Sequence, residues 1–257
     1  MNLYEFAKKT FNEFISDNYD VNDKRVKIKL DHTYLVVENV KYICRNIKLD
    51  ELNTDIALVI ALLHDIGRFT EVKEMNTFRE DITGYDHATL GIKFLFEKNY
   101  IRKFVKDDKY DEIIKTAIEN HSKYAIEDGL SENILMHCKI IRDADKLDNF
   151  RSKTVDDMYT LANTNKDDIE NSRITDKICE DLMNEKTILL SDRKTPLDIW
   201  LTTIAFIFGF EFKCSYELVK EKDYVNKLFD RFEYKLEKKR MAELKKKALE
   251  YLEYKLK

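Results

Sequence analysis

The sequence predicts an all-α protein, a single globular bundle of about nine to eleven helices with a helical C-terminal extension. Three observations support this fold class. The 257 residues include only one proline and five glycines, the two residue types that most often interrupt helices. Hydrophobic residues make up 44% of the chain and charged residues 37%, which suits amphipathic helices around a sizeable core. No stretch alternates apolar and polar residues for long enough to require a sheet.

The predicted helices are the stretches in which apolar residues recur three or four positions apart. In order, they cover residues 3–15, 26–47, 52–66, 87–96, 113–121, 134–147, 169–182, 197–218 and 224 to the C-terminus. Asp50 caps the third of them, and Gly67 and Gly129 mark breaks. The most apolar run, residues 197–212, contains Asp198 and Glu211 and is shorter than the roughly 20 residues of a membrane span, so we interpret it as one buried helix.

The predicted domain organisation is one domain over residues 1–222, followed by a long helix over residues 223–257. Val225, Phe229, Phe232 and Leu236 lie at heptad-like spacing in this last segment. We expect the helix to pack on its own domain or to form a homodimer.

Charge and cysteine usage restrict the partners and the compartment. The formal net charge is −4, and basic residues are interspersed with acidic ones, so we expect neither a nucleic-acid polymer nor a membrane as partner. The four cysteines form no Cys-x-x-Cys pair and the N-terminus has no signal peptide, which predicts a cytoplasmic protein.

The main candidates for functional residues are the histidines, of which there are five. His64 and Asp65 end a strongly apolar helix, where two adjacent polar side chains would be buried without compensation. A bound metal ion would compensate both.

Two motifs carry a family resemblance. Ala61-Leu-Leu-His-Asp-Ile-Gly67 is preceded by His32 and followed by Asp145 within Arg142-Asp-Ala-Asp-Lys-Leu-Asp148. The order His, His-Asp, Asp resembles that of the HD-domain superfamily of metal-dependent phosphohydrolases. The resemblance implies an HD-domain helical bundle in which His32, His64, Asp65 and Asp145 bind a metal ion.

Two further histidines extend the resemblance to binuclear HD proteins: His87 in Tyr85-Asp-His-Ala-Thr-Leu-Gly91 and His121 in Ala117-Ile-Glu-Asn-His-Ser122. It implies that Asp65 bridges two ions, with His32, His64 and Asp145 on one of them and His87 and His121 on the other. A mononuclear site, in which His87 and His121 bind a substrate phosphate, stays open.

The donor set indicates the cofactor. Imidazoles with carboxylates favour one or two divalent transition-metal ions, namely manganese, iron, nickel, cobalt or zinc, over magnesium. The fifth histidine, His137, lies eight residues before Asp145, about 12 Å along a straight helix, so we predict packing or a capping hydrogen bond for it.

Phosphate chemistry also needs cations placed in advance. Arg68 follows Gly67 directly, at the position where many binuclear HD proteins carry a lysine, so the resemblance implies a phosphate-facing cation. Lys146 follows Asp145 and is the second candidate, ahead of Arg142. The predicted catalytic residues are therefore Asp65, Arg68 and Lys146.

The resulting hypothesis is a phosphomonoesterase or phosphodiesterase that acts on a small phosphate ester, such as a nucleotide, through a metal-activated hydroxide. The run of residues 144–151 also resembles a short stretch of alarmone hydrolases. Two other classes stay open: a small group of HD proteins with the same ligand order are mixed-valence di-iron oxygenases, and others bind nucleotides without turnover.

Overall fold

The protein is described by a computed structural model, which covers residues 2–75, 84, 86–156 and 164–257. Over these ranges every regular element is helical and no β-strand occurs, so the predicted all-α class is confirmed. The described residues contain more helices than the nine to eleven expected, because short ones such as Ile101–Phe104 and Lys166–Glu170 accompany the long ones.

The chain divides into two compact units, residues 1–145 and 146–257. The boundary falls within one helix, α8. The first unit contains α1 (Leu3–Asn18), α2 (Lys24–Asn46), α3 (Glu51–Leu63), α4 (Ile66–Met75), α5 (His87–Ile92), α6 (Ile101–Phe104), α7 (Asp111–Asn120) and the start of α8 (Glu132–Val155). Lys93–Glu97 continues α5 as a π-helical turn, and Asp108–Tyr110 is a 3₁₀ turn.

The second unit begins in α8 and continues with α9 (Lys166–Glu170), α10 (Asp176–Met183), α11 (Pro196–Ala205), α12 (Lys213–Glu221), α13 (Tyr224–Phe229) and α14 (Lys238–Leu256). Leu190–Asp192 and Phe206–Gly209 are 3₁₀ turns.

Helix α3 forms the centre of the first unit. All residues from Asp55 to Leu63 are buried, and the helix packs on α1, α2 and α7. A helix that is apolar on all sides needs neighbours on all sides, and each buried leucine or isoleucine contributes about 1.5–3 kcal/mol. Asp50 caps its start as predicted, since Asp50 Oδ1 accepts a hydrogen bond from Asn53 N at 2.9 Å. His64 and Asp65 therefore follow directly after the buried C-terminus of α3.

Gly67 was expected to mark a break between two helices. This expectation is wrong, because Gly67 is the second residue of α4. The glycine is required by close packing instead. A Cβ atom on Gly67 would overlap the carbonyl oxygen of His87 and lie 2.8 Å from the backbone nitrogen of Gly91. Only a residue without a side chain lets α4 approach the backbone of α5 this closely.

The apolar run over residues 197–212 is not one buried helix. It forms α11, the 3₁₀ turn Phe206–Gly209 and a short extended link to α12. At the end of this turn the Gly209 carbonyl accepts a hydrogen bond from the Lys146 ammonium, and a Cβ on Gly209 would lie 3.0 Å from Thr187 Cγ2. The helix therefore ends before Gly209, where the carbonyl bonds to Lys146 and the chain packs closely against Thr187 within the second unit.

The core of the second unit is aromatic. Trp200 is 1% exposed, and its Nε1 donates a hydrogen bond to the Tyr234 hydroxyl at 3.0 Å. The Tyr234 hydroxyl in turn donates to the Leu228 carbonyl at 3.1 Å. The chain thereby satisfies the polar atoms of its two buried rings.

The segment over residues 223–257, expected as one long helix, contains two helices, α13 and α14. Helix α14 packs on α10, α12 and α13 within the second unit. Its use in a homodimer stays a prediction, as does a domain boundary at residue 222. Among the described residues, no helix combines the length and apolar character that crossing a membrane requires.

Candidate metal centre

Five elements of the first unit bring the six predicted ligands together. His32 lies on α2 and Asp145 on α8, while His64 and Asp65 form the turn between α3 and α4. His87 is the first residue of α5, and His121 directly follows α7. Each histidine is at most 7% exposed. Residues distributed over most of the first unit therefore converge at one point in its interior.

Asp65 is the centre of this cluster, since its two carboxylate oxygens face different pairs of histidines. Oδ2 lies 3.5 Å from His32 Nε2 and 3.8 Å from His64 Nε2. Oδ1 lies 3.3 Å from His87 Nε2 and 3.7 Å from His121 Nε2. This arrangement is suited to a carboxylate shared between two cations.

Asp145 faces the first of these pairs. Its Oδ1 is 3.2 Å from His32 Nε2 and 4.0 Å from His64 Nε2. The ligand atoms of His32, His64 and Asp145 all lie within 4.8 Å of one another, and so do those of His64, Asp65 and His121. Each group of three is compact enough to hold one metal ion.

His64 provides the clearest sign that a cation belongs here. Its Nδ1 hydrogen bonds to the Ala61 carbonyl at 2.7 Å, which fixes the ring and leaves Nε2 directed at the carboxylates. His64 is 0% exposed, and Nε2 has no hydrogen-bond partner among the described residues. A buried nitrogen of this kind is costly unless it binds something, and a metal ion fits its lone pair.

The pair formed by His87 and His121 has the spacing of two ligands on one ion. Their Nε2 atoms are 2.9 Å apart, and His121 Nδ1 hydrogen bonds to the Ile118 carbonyl at 2.7 Å. Two nitrogens that are each about 2.1 Å from a common ion lie about 3.0–3.4 Å apart in the usual geometries. The donor types and distances therefore fit a transition-metal ion.

The electrostatics of the cluster keep His64, Asp65 and Asp145 in the form that binds metals. Burial lowers the pKa of His64 to about 4, so its ring is neutral at pH 7. Burial alone would raise the pKa of Asp65, but attraction from the Lys29 ammonium opposes it, and that pKa lies well below the usual range. Asp145 is likewise ionised, because its hydrogen bond with His32 lowers its pKa against the effect of burial. Neutral imidazoles and ionised carboxylates are the states that bind metals.

Arg68 lies beside the cluster at the start of α4. Its Nε is 3.9 Å from Asp65 Oδ1, and its guanidinium donates a hydrogen bond to Glu71 Oε2 at 2.8 Å. Glu71 is completely buried, so the ion pair holds the arginine close to Asp65. Arg68 therefore lies beside the cluster, and its role as a phosphate-facing cation stays a prediction.

Lys146 is placed differently from its neighbour Asp145. Its ammonium donates a hydrogen bond to the Gly209 carbonyl and lies 5.9 Å from the centre of the Phe210 ring. The side chain is part of the second unit. Its predicted catalytic role stays a prediction.

Sequence reasoning missed Lys29 and underestimated Arg142. Lys29 Nζ lies 2.9 Å from Asp65 Oδ2, and its spacing of three residues from His32 on α2 was a usable signal. Arg142 donates hydrogen bonds to the carbonyl of the last residue of α7, Asn120, and to those of residues 121, 123 and 124 in the segment that follows, at 2.5–3.5 Å. It anchors the segment that carries His121.

His137 does not join the cluster, as predicted. Its Nδ1 lies 2.8 Å from the Asn133 carbonyl and its Nε2 lies 3.2 Å from the Asn53 carbonyl. The side chain is 1% exposed, and burial lowers its pKa below the usual value. Its role is to join α8 to α3.

We expect His137→Gln to weaken the acid sensitivity of the metal-free protein. In the unfolded chain the histidine takes up a proton near pH 6.5, whereas the folded protein keeps it neutral, so the free energy of unfolding falls as the pH drops from 7. Each such group contributes at most about 1.4 kcal/mol per pH unit. Urea unfolding at pH 7 and pH 5.5 measures the difference, and equal pH dependence in both proteins would contradict this account.

Comparison with known proteins identifies the region that carries the cluster. Residues 30–149 match the family model of the HD domain. Neither the curated proteins nor the solved structures contain a match to the chain. The match includes all six clustered residues, and HD domains form a superfamily of metal-dependent phosphohydrolases. Residues 30–149 of this chain are therefore similar to the HD domain, which is consistent with the HD-domain superfamily of metal-dependent phosphohydrolases.

Proposed function

We propose that the protein is a metal-dependent phosphohydrolase that cleaves a phosphomonoester or phosphodiester bond in a nucleotide or another small phosphate ester. The observation that carries the proposal is Asp65, whose two oxygens face two separate pairs of imidazoles at 3.3–3.8 Å. Such a carboxylate is suited to bridge two ions, with His32, His64 and Asp145 on one side and His87 and His121 on the other.

The ligand types favour manganese, iron, nickel, cobalt or zinc over magnesium. Bound divalent ions would supply an activated water and positive charge for the phosphoryl oxygens. The protein itself contributes by holding the ligand side chains in position. Hydrogen bonds from Nδ1 to backbone carbonyls fix the rings of His64 and His121, so that both Nε2 atoms face Asp65.

Arg68 has the role of orienting the phosphoryl group. Its guanidinium is held by the buried Glu71 and lies 3.9 Å from Asp65 through Nε. A planar guanidinium can donate two hydrogen bonds to a phosphate, which a lysine cannot do in the same fixed geometry. Lys146 would join in substrate binding only if its ammonium left the Gly209 carbonyl.

The proposed substrate is small, because the formal net charge of −4 and the mixed surface charges do not favour a nucleic-acid polymer. A cytoplasmic location and a homodimer complete the proposal. Both rest on the sequence alone.

The test combines metal analysis with turnover. We expect the purified protein to contain one or two transition-metal ions per chain, and we expect chelation to abolish phosphate release. Manganese, nickel or cobalt should restore it better than magnesium on a panel of phosphomonoesters and phosphodiesters, nucleotides included. Bound iron with oxygen consumption and no phosphate release would point to an oxygenase instead, and nucleotide binding without turnover would point to a regulatory module.

A further inference from the structure

Lys29 is an ammonium placed inside the candidate metal centre. It lies one helical turn before His32 on α2, and its Nζ is 2.9 Å from Asp65 Oδ2. The Lys29 side chain is 16% exposed and that of Asp65 is 5% exposed. A lysine normally keeps its ammonium in water, since burying the charge is costly without a partner. Its inward position therefore indicates a binding partner within the site.

Once metal ions are bound, Asp65 alone is not a sufficient partner for the Lys29 ammonium. Oδ2 is the same oxygen that lies 3.5 Å from His32 Nε2 and 3.8 Å from His64 Nε2, among the proposed ligands of one ion. A divalent ion on this oxygen would repel the neighbouring ammonium. Lys29 has a flexible four-carbon stem and can follow an anion that enters the site.

Arg68 and Lys29 flank Asp65 on its two sides. The guanidinium lies 3.9 Å from Oδ1, whereas the ammonium lies 2.9 Å from Oδ2. Two cationic donors beside two proposed metal ions offer more binding groups than the two free oxygens of a phosphodiester, with its one negative charge, can occupy. A terminal phosphoryl group carries close to two negative charges at pH 7 and has three free oxygens.

We propose that Lys29 binds a phosphoryl oxygen of the substrate and makes the site selective for phosphomonoesters over phosphodiesters. This inference rests on the proposed phosphohydrolase function and adds the substrate class. Lys29 lies just before residues 30–149, so the match to the HD-domain family does not include it.

The test compares three variants after reloading with manganese. Lys29→Met removes the charge, Lys29→Arg keeps it, and Lys27→Met removes an equal charge from an exposed position on the same helix. Titration calorimetry with inorganic phosphate measures anion binding without turnover. Elemental analysis and circular dichroism establish that the variants retain metal and helical content.

We expect Lys29→Met to weaken phosphate binding by about 10- to 100-fold, the effect of one hydrogen bond to a charged group. Its metal content should be unchanged, and Lys29→Arg and Lys27→Met should stay close to the wild type. With p-nitrophenyl phosphate and bis(p-nitrophenyl) phosphate, Lys29→Met should lose kcat/KM mainly for the monoester.

Unchanged phosphate affinity and an unchanged ratio of monoester to diester turnover in Lys29→Met would overturn the inference, and so would an absence of phosphate binding to the wild type. Lys29 would then act only as a counter-ion to Asp65. If the wild type binds phosphate in a Lys29-dependent way but hydrolyses neither ester, the phosphohydrolase proposal fails and the anion site stands.

Discussion

Asp65→Ala is expected to remove metal binding and turnover together. The variant loses the only carboxylate that faces all four clustered histidines among the described residues, at 3.3–3.8 Å. Loss of an outer partner of a metal ligand already costs about 10- to 100-fold in affinity or activity, so loss of the proposed bridging ligand should cost more. Elemental analysis and phosphate release measure the two effects.

The control for this variant is Asp31→Asn, which changes an exposed carboxylate next to His32. It should retain both metal and activity. Helical content by circular dichroism should be similar in both proteins, because α3 is held in place by the apolar core around it. Metal content and turnover near the wild-type level in Asp65→Ala would rule out the proposed centre.

Gly67→Ala is expected to reduce the free energy of unfolding by about 1–3 kcal/mol, the usual cost of adding a methyl group where there is no space. The new Cβ would overlap the carbonyl oxygen of His87, so α4 and α5 must separate. Since His87 begins α5, metal affinity should fall as well. Urea unfolding and a metal titration measure the two changes.

Gly91→Ala is the matched control, because a Cβ there meets Ile66 Cγ2 at 3.4 Å, an ordinary contact. Its unfolding free energy should stay within about 0.5 kcal/mol of the wild type. If Gly67→Ala were as stable as Gly91→Ala, the close approach of α4 to α5 would not exist.

The fold class and the pair His64-Asp65 could be predicted because both depend on local signals. Helical periodicity covers most of the chain, and the pair His64-Asp65 stands out after the apolar residues of α3. The convergence of His87 and His121 on Asp65 follows from the family resemblance, since no spacing in the sequence relates α5 and α7 to α3.

The secondary-structure predictions are wrong where contacts between distant segments determine the local backbone. Gly67 looks like a helix end, yet its role is set by His87 and Gly91, twenty and twenty-four positions away. Residues 197–212 look like one helix, yet the chain turns at Gly209, whose carbonyl accepts a hydrogen bond from the distant Lys146. Propensity is a weak guide at such positions, because packing partners from distant segments override it.

The hydrogen bonds of Arg142 have a mechanical consequence. The last carbonyls of a helix have no partner within it, and the guanidinium of Arg142 on α8 binds the Asn120 carbonyl at the end of α7 and three carbonyls in the segment that follows. Arg142 stands one turn before Asp145 on the same helix. These hydrogen bonds couple the end of α7 to α8, so the backbone that carries His121 is expected to move together with the helix that carries Asp145.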